Sequence, residues 1–261
     1  MTGATSTDPK KVYAPKKNLP GDYSCHPWPK IRKHLEVLGW VLVIFLALTG
    51  LSSVIGRAYF LATAFANPEM KMNAFDVRYY VNHFAAISHL IPAAFIAILG
   101  PLQFIRPLRK KYLKAHRWSG RIYILSGAVG AFSAIAIGVF NPFMGIGGQG
   151  FNEAMATAFL SALVLFCLYM AYSRIRYKMI GAHREWMIRS FALMLAIATE
   201  RTILGALLFT TDVEIGVLFG TTFWMAAVIN LAFAEIWIVI TRTAGNGARH
   251  WKDVDAKIAK T

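Results

Sequence analysis

The sequence predicts an all-α membrane protein, a six-transmembrane-helix bundle with both termini cytoplasmic. Three observations predict it. Of 261 residues, 56% are hydrophobic and 16% charged, with a mean hydropathy of +0.47, whereas a soluble domain carries about 25% charge. The apolar residues come in runs of about 20, the length that crosses a hydrocarbon core, rather than in 3.6-residue stripes. The basic residues gather between alternate runs. A closed barrel is excluded, because no ten-residue segment alternates apolar and polar positions.

The runs are Glu36–Gly56, His83–Ile105, His116–Phe140, Phe151–Ser173, Arg184–Phe209 and Gly216–Thr241. They make residues 36–241 a membrane domain between two basic tails, 1–35 and 242–261. Lys and Arg on one side number 22, in the two tails and the segments Arg106–Arg117 and Arg174–Arg184. The other side has Arg57, Lys71 and Arg78. The positive-inside rule puts the crowded side in the cytoplasm, and the expected location is a bacterial inner membrane. The net charge of +15 therefore belongs against anionic lipid headgroups, not nucleic acid. Cys25 lies in the tail and Cys167 in an apolar run, so no disulfide is expected. The first 30 residues lack the apolar core of a signal peptide.

The long outer loop Arg57–Asn82 carries Tyr59, Phe60, Phe65, Phe75, Tyr79 and Tyr80. Such rings fit either headgroup depth or a lid over a site in the outer leaflet. The glycine-rich Asn141–Gly150 follows no strand and reads as a flexible turn rather than a phosphate cradle.

A short signature occurs twice, as Lys-Ala-His-Arg-Trp-Ser-Gly-Arg (114–121) and Gly-Ala-His-Arg-Glu-Trp-Met-Ile-Arg (181–189). With Gly-Pro-Leu-Gln-Phe (100–104), His89, His-Arg-Trp-Ser-Gly-Arg-Ile-Tyr (116–123) and His-Arg-Glu-Trp-Met-Ile-Arg-Ser (183–190), the chain resembles DUF2306, a bacterial family of multi-pass membrane proteins. The resemblance covers about residues 80–210 and implies a helical membrane protein with no assigned activity.

Ionisable groups inside a bilayer are costly and face a partner or a cavity. Here they form two layers. The cytoplasmic layer holds His116, Arg121, His183, Arg189, Glu235 and Gln103. Glu235 lies at about the depth of the two arginines, counting 1.5 Å per residue, and can neutralise one of them. The other needs a lipid phosphate, a ligand carboxylate or a haem propionate. His116 shares a helix face with Gly120, Tyr123, Gly127, Ala131, Ala134 and Gly138, a small-residue stripe that suits close helix approach or a flat ligand. His116 and His183 at one level are either headgroup anchors or axial ligands of a haem b iron, with Arg121 and Arg189 near the propionates. The outer layer holds His89, Glu200 and Arg201. It is either an internally neutralised packing pair beside a histidine, or a pocket for a quinone, lipid or small anion.

No nucleophile elbow, P-loop, His-Glu-x-x-His or dinucleotide fingerprint is present. The leading expectation is electron transfer within the bilayer, using haem b, a quinone or both. The alternatives are a non-catalytic accessory or scaffold subunit of a larger membrane complex, and a carrier of a small anion or lipid. The carrier is disfavoured at this level because no pair of spans is broken midway by Gly or Pro.

Overall fold

The computed structural model describes residues 29–241, apart from 144 and 146–148. Residues 1–28 of the first tail, with Cys25 and His26, the whole of the second, and part of the expected flexible turn lie outside the described residues. Among the described residues there are nine α-helices and no strand. They are α1 (Pro29–Ala66), α2 (Ala74–Val81), α3 (His83–Phe104), α4 (Arg106–Lys111), α5 (Leu113–Gly138), α6 (Gln149–Arg176), α7 (Ile180–Met194), α8 (Ala196–Thr210) and α9 (Ile215–Thr241). Six stretches are long and apolar enough to span a membrane, and α7 with α8 makes one of them.

Each expected apolar run is a helix because backbone groups in hydrocarbon must pair internally. The elements extend beyond the apolar runs where polar residues continue the helix. Thus α1 begins at Pro29, ahead of the expected Glu36, and runs past Gly56 to Ala66. At about 1.5 Å per residue, its 38 residues outreach a hydrocarbon core of about 30 Å. The aromatic loop contains α2, started by Asn73, whose side chain accepts from the Asp76 N–H at 2.8 Å. This cap satisfies one of the free N–H groups of the first turn.

Neighbouring helices pack α3 on α5, and α6 against α5, α7 and α9, while α1 lies against α3 and α8. Outward side chains such as Leu48, Phe95, Leu125, Phe166 and Phe233 are exposed, as a lipid-facing surface requires. The core runs through Tyr123, Leu160, Leu168, Met187, Phe191 and Ala226.

Two of the motif segments meet at the α4 end of the bundle. Gln103 Nε2 donates to Ser119 Oγ at 2.7 Å, and a Cβ on Gly120 would stand 3.3 Å from Gln103 Oε1. Gly100 takes the ring of Phe191, which occupies the space of a Cβ there. The glycines in these motifs thus answer to helix packing.

The fifth span is interrupted at Leu195, between α7 and α8, with neither Gly nor Pro present. Asn230 of α9 bridges the gap. Its Nδ2 donates to the Ala192 carbonyl at 2.9 Å, and its Oδ1 accepts from the Thr199 hydroxyl at 2.9 Å. A freed carbonyl inside a membrane needs such a partner.

Candidate functional site

A cavity of about 670 Å³ opens within the half of the bundle that carries α2. That volume lies within the usual range for a small-molecule site, about 300–1,000 Å³. The α5 stripe supplies one wall, with Gly127, Gly130, Ala131, Ala134 and Gly138. Along the stripe, close helix approach alternates with open space. Gly127 admits Leu168 and Met194, Gly138 admits Thr157, and the space between them stays open. The interrupted segment Leu193–Ala198 forms another wall. Most of the lining is apolar, and the polar groups are few.

His89 of α3 is one of them. Its Nδ1 lies 3.0 Å from the Gly130 carbonyl oxygen and 3.2 Å from Ser133 Oγ. A carbonyl only accepts, so Nδ1 carries the hydrogen and donates. The Ser133 hydroxyl reaches the Val129 carbonyl at 2.8 Å. This orients the ring and leaves Nε2 as its other nitrogen, without a partner among the described residues.

Three arginines stand towards the α2 end, interleaved with rings. Phe75 has the guanidinium carbons of Arg57, Arg78 and Arg201 at 5.0, 4.7 and 5.6 Å from its centroid. Tyr79 takes Arg57 and Arg78 at 4.2 and 5.0 Å, and Phe219 takes Arg78 and Arg201 at 5.7 and 5.2 Å. Ring faces attract cations, more strongly out of water. Arg57 pairs with Asp76 at 2.5 Å, and Arg78 with Glu153 at 2.5 Å. The second pair is deeply buried, with side chains 8% and 5% exposed. Glu153 also accepts from the Phe143 N–H at 2.7 Å. One carboxylate thus ties α2, α6 and the end of α5's loop together. Of the two expected uses of the aromatic loop, a cover over a site describes Phe60, Phe75 and Tyr79, which line the cavity. Tyr59 and Phe65 are exposed, as headgroup-level rings would be.

Arg201 lines the cavity; Glu200, one position away, does not. Glu200 is fully buried against α9, with Thr222 Oγ 3.4 Å from its Oε1. The expected outer layer is therefore divided. His89 and Arg201 open into one space, and Glu200 faces away from it.

The opposite layer is arranged differently. Arg189 binds Glu235 through two hydrogen bonds, Nε to Oε1 at 2.6 Å and NH2 to Oε2 at 3.0 Å. Glu235 thus serves Arg189, as the depth match allowed. Arg121 is exposed and lies over the Trp118 ring at 5.0 Å. His183 Nδ1 donates to the Ala171 carbonyl at 2.8 Å, and His116 is near enough for the two rings to interact electrostatically. Neither histidine borders the cavity. No group of three or more His, Cys, Asp or Glu suited to a metal ion occurs among the described residues.

Sequence reasoning missed Asp76, Glu153 and Phe219, and it used Arg57 and Arg78 for orientation alone. Arg57 and Arg78 did carry a signal, as two of the three Lys and Arg residues on the less basic side. Glu153, an acid early in an apolar run, carried another.

Comparison with known proteins agrees with the motifs. No curated protein and no solved structure matches the chain. Residues 86–238, more than half of the sequence, match the family described as "Predicted membrane protein (DUF2306)". That match includes His89, Glu153 and Arg201, and the chain belongs to the DUF2306 family.

Proposed function

We propose that this protein binds an amphiphilic ligand inside the membrane, its apolar body in the α5-walled cavity and its polar head towards Arg201, with His89 as a second polar point. The observation that carries the reading is the largely apolar cavity of about 670 Å³ lined by His89 and Arg201, neither of which has a carboxylate of the lining as its ion-pair partner among the described residues. A quinone ring and a carboxylate-headed lipid both have this chemistry. The positive-inside bias supports cytoplasmic ends and an inner-membrane location, with the cavity in the outer half.

The test uses protein in lipid nanodiscs and the neutral fluorophore 1-aminoanthracene. Wild type should bind it saturably, and decylubiquinone or decanoate should displace it. Ala134→Phe places a ring in the cavity and should weaken binding at least tenfold. Equal signals from wild type and Ala134→Phe would reject the cavity as the site.

A redox reading has a narrower basis. Haem b ligation by His116 and His183 is favoured by the Ala171 hydrogen bond, which fixes the His183 ring as outer-shell carbonyls fix metal-binding imidazoles. The propionate role expected of Arg189 and Arg121 has less support, because Glu235 already neutralises Arg189 and Arg121 is on the exposed face. If haem is bound, a reduced-minus-oxidised spectrum shows b-type bands that disappear in His183→Ala. A colourless folded protein removes haem and, with it, electron transfer between haem and a cavity quinone.

A further inference from the structure

We infer that the ligand head is an anion, and that it is received by Arg201, which among the described residues is the one cation of the site without a closely hydrogen-bonded carboxylate. This inference rests on the cavity reading above.

The three arginines differ in how their charge is met. Arg57 and Arg78 each hold a carboxylate at 2.5 Å, the short contact of a charge-assisted hydrogen bond. Arg201 has only the Glu200 Oε2 atom, 3.5 Å from its Nε. That oxygen has no hydrogen bond among the described residues. Phe75 and Phe219 hold the Arg201 guanidinium by their faces instead. The Arg201 side chain is 28% exposed, against 0% for Glu200. Its remaining N–H groups find no acceptor among the described residues, and they are where an incoming head would bind.

Glu200 is built to be neutral. Its one hydroxyl neighbour, Thr222, has a single proton and stands 3.0 Å from the Leu218 carbonyl and 2.9 Å from that of Phe219. A hydroxyl that donates to the backbone can still accept through its oxygen. A protonated Glu200 can therefore donate to Thr222 Oγ, whereas an ionised one would be buried with the Arg201 Nε at 3.5 Å and no hydrogen bond at Oε2 among the described residues. Arg57 and Arg78 each meet a carboxylate of the lining and Glu200 lies outside it, so the Arg201 charge is the one left over among the described lining residues. A monoanionic amphiphile closes the charge balance, and a neutral one leaves a guanidinium desolvated and unmatched.

Displacement of 1-aminoanthracene from nanodisc-embedded protein tests this. Decane sulfonate, ionised throughout the working pH range, is compared with decanol and decylubiquinone. Wild type should prefer the sulfonate over decanol at least tenfold. Arg201→Met should lose that preference yet still bind the fluorophore, and Arg201→Lys should keep part of it. Glu200→Gln should retain the preference within about threefold, since it replaces a neutral acid by a neutral amide. Equal displacement by sulfonate, decanol and quinone in wild type would overturn the inference. So would a preference that arises only in Glu200→Gln, because Glu200 would then be the ionised partner of Arg201. In both cases fluorophore binding would still stand. Absence of fluorophore binding would instead defeat the cavity reading itself.

Discussion

Replacing Glu153 with alanine is expected to destabilise the protein by about 3–5 kcal/mol, the usual cost of leaving a buried charge without its partner. Glu153 is the anion for Arg78 and the acceptor for the Phe143 N–H, so its loss leaves both groups unmatched at one point. Glu153→Gln keeps an acceptor but no charge, and should fall between alanine and wild type. The double change Glu153→Leu with Arg78→Met should recover much of the loss, because a buried pair replaced by apolar groups is often neutral or stabilising. Asp76→Ala is the comparison. Its pair with Arg57 is about one-fifth exposed, and partly solvated pairs contribute about 0–1 kcal/mol. Unfolding of the variants in detergent, followed by circular dichroism, measures all four. A Glu153→Ala variant as stable as Asp76→Ala would show that the buried pair does not hold α2 in place.

The second large effect is expected at Asn230. Asn230→Leu removes the donor to the Ala192 carbonyl and the acceptor for Thr199. Each buried polar group left without a partner costs about 1–3 kcal/mol in soluble proteins, and hydrogen bonds between membrane helices average nearer 0.6 kcal/mol. A total loss of about 2 kcal/mol is expected. Thr199→Val removes only one of the two bonds and should cost less. Amide exchange should rise at Leu193–Ala198, where the span is interrupted. Unchanged exchange there would mean that neighbouring side chains, not Asn230, fix the interruption.

The spans were legible because a bilayer demands about 20 apolar residues in a row, and nothing else in the chain imitates that. The α5 stripe was legible too, since Gly120 to Gly138 repeats at helical spacing and a wall needs small residues on one face. That Glu235 would neutralise one of Arg121 and Arg189 followed from depth; which one did not, and the structure pairs it with Arg189. The interruption at Leu195 was not legible, because Leu-Met-Leu-Ala-Ile-Ala contains no breaker. What accommodates it lies on another helix, with Thr199 and Asn230 31 residues apart. Arg78 and Glu153 are 75 residues apart, and neither residue names its partner in the sequence. The aromatic loop was left open between two readings for a related reason. Its rings suit a headgroup belt as well as a cover, and only the arginines between them distinguish the two. Glu200 and Arg201 diverge because adjacent helical positions differ by about 100°. Which of them would face a cavity depended on where α9 packs.

Photo-crosslinking tests the central claim, an intramembrane binding cavity, most directly. A decyl chain carrying a terminal diazirine is loaded into nanodiscs with wild-type protein, irradiated, and the adducts are mapped by mass spectrometry. Binding in the cavity predicts saturable adducts on cavity-lining residues of α3, α5 and α8, such as Ala93, Ala134 and Ile197, lost on addition of excess unlabelled ligand. Adducts confined to outward residues such as Leu48, Phe95 and Phe233, and insensitive to competitor, would contradict it.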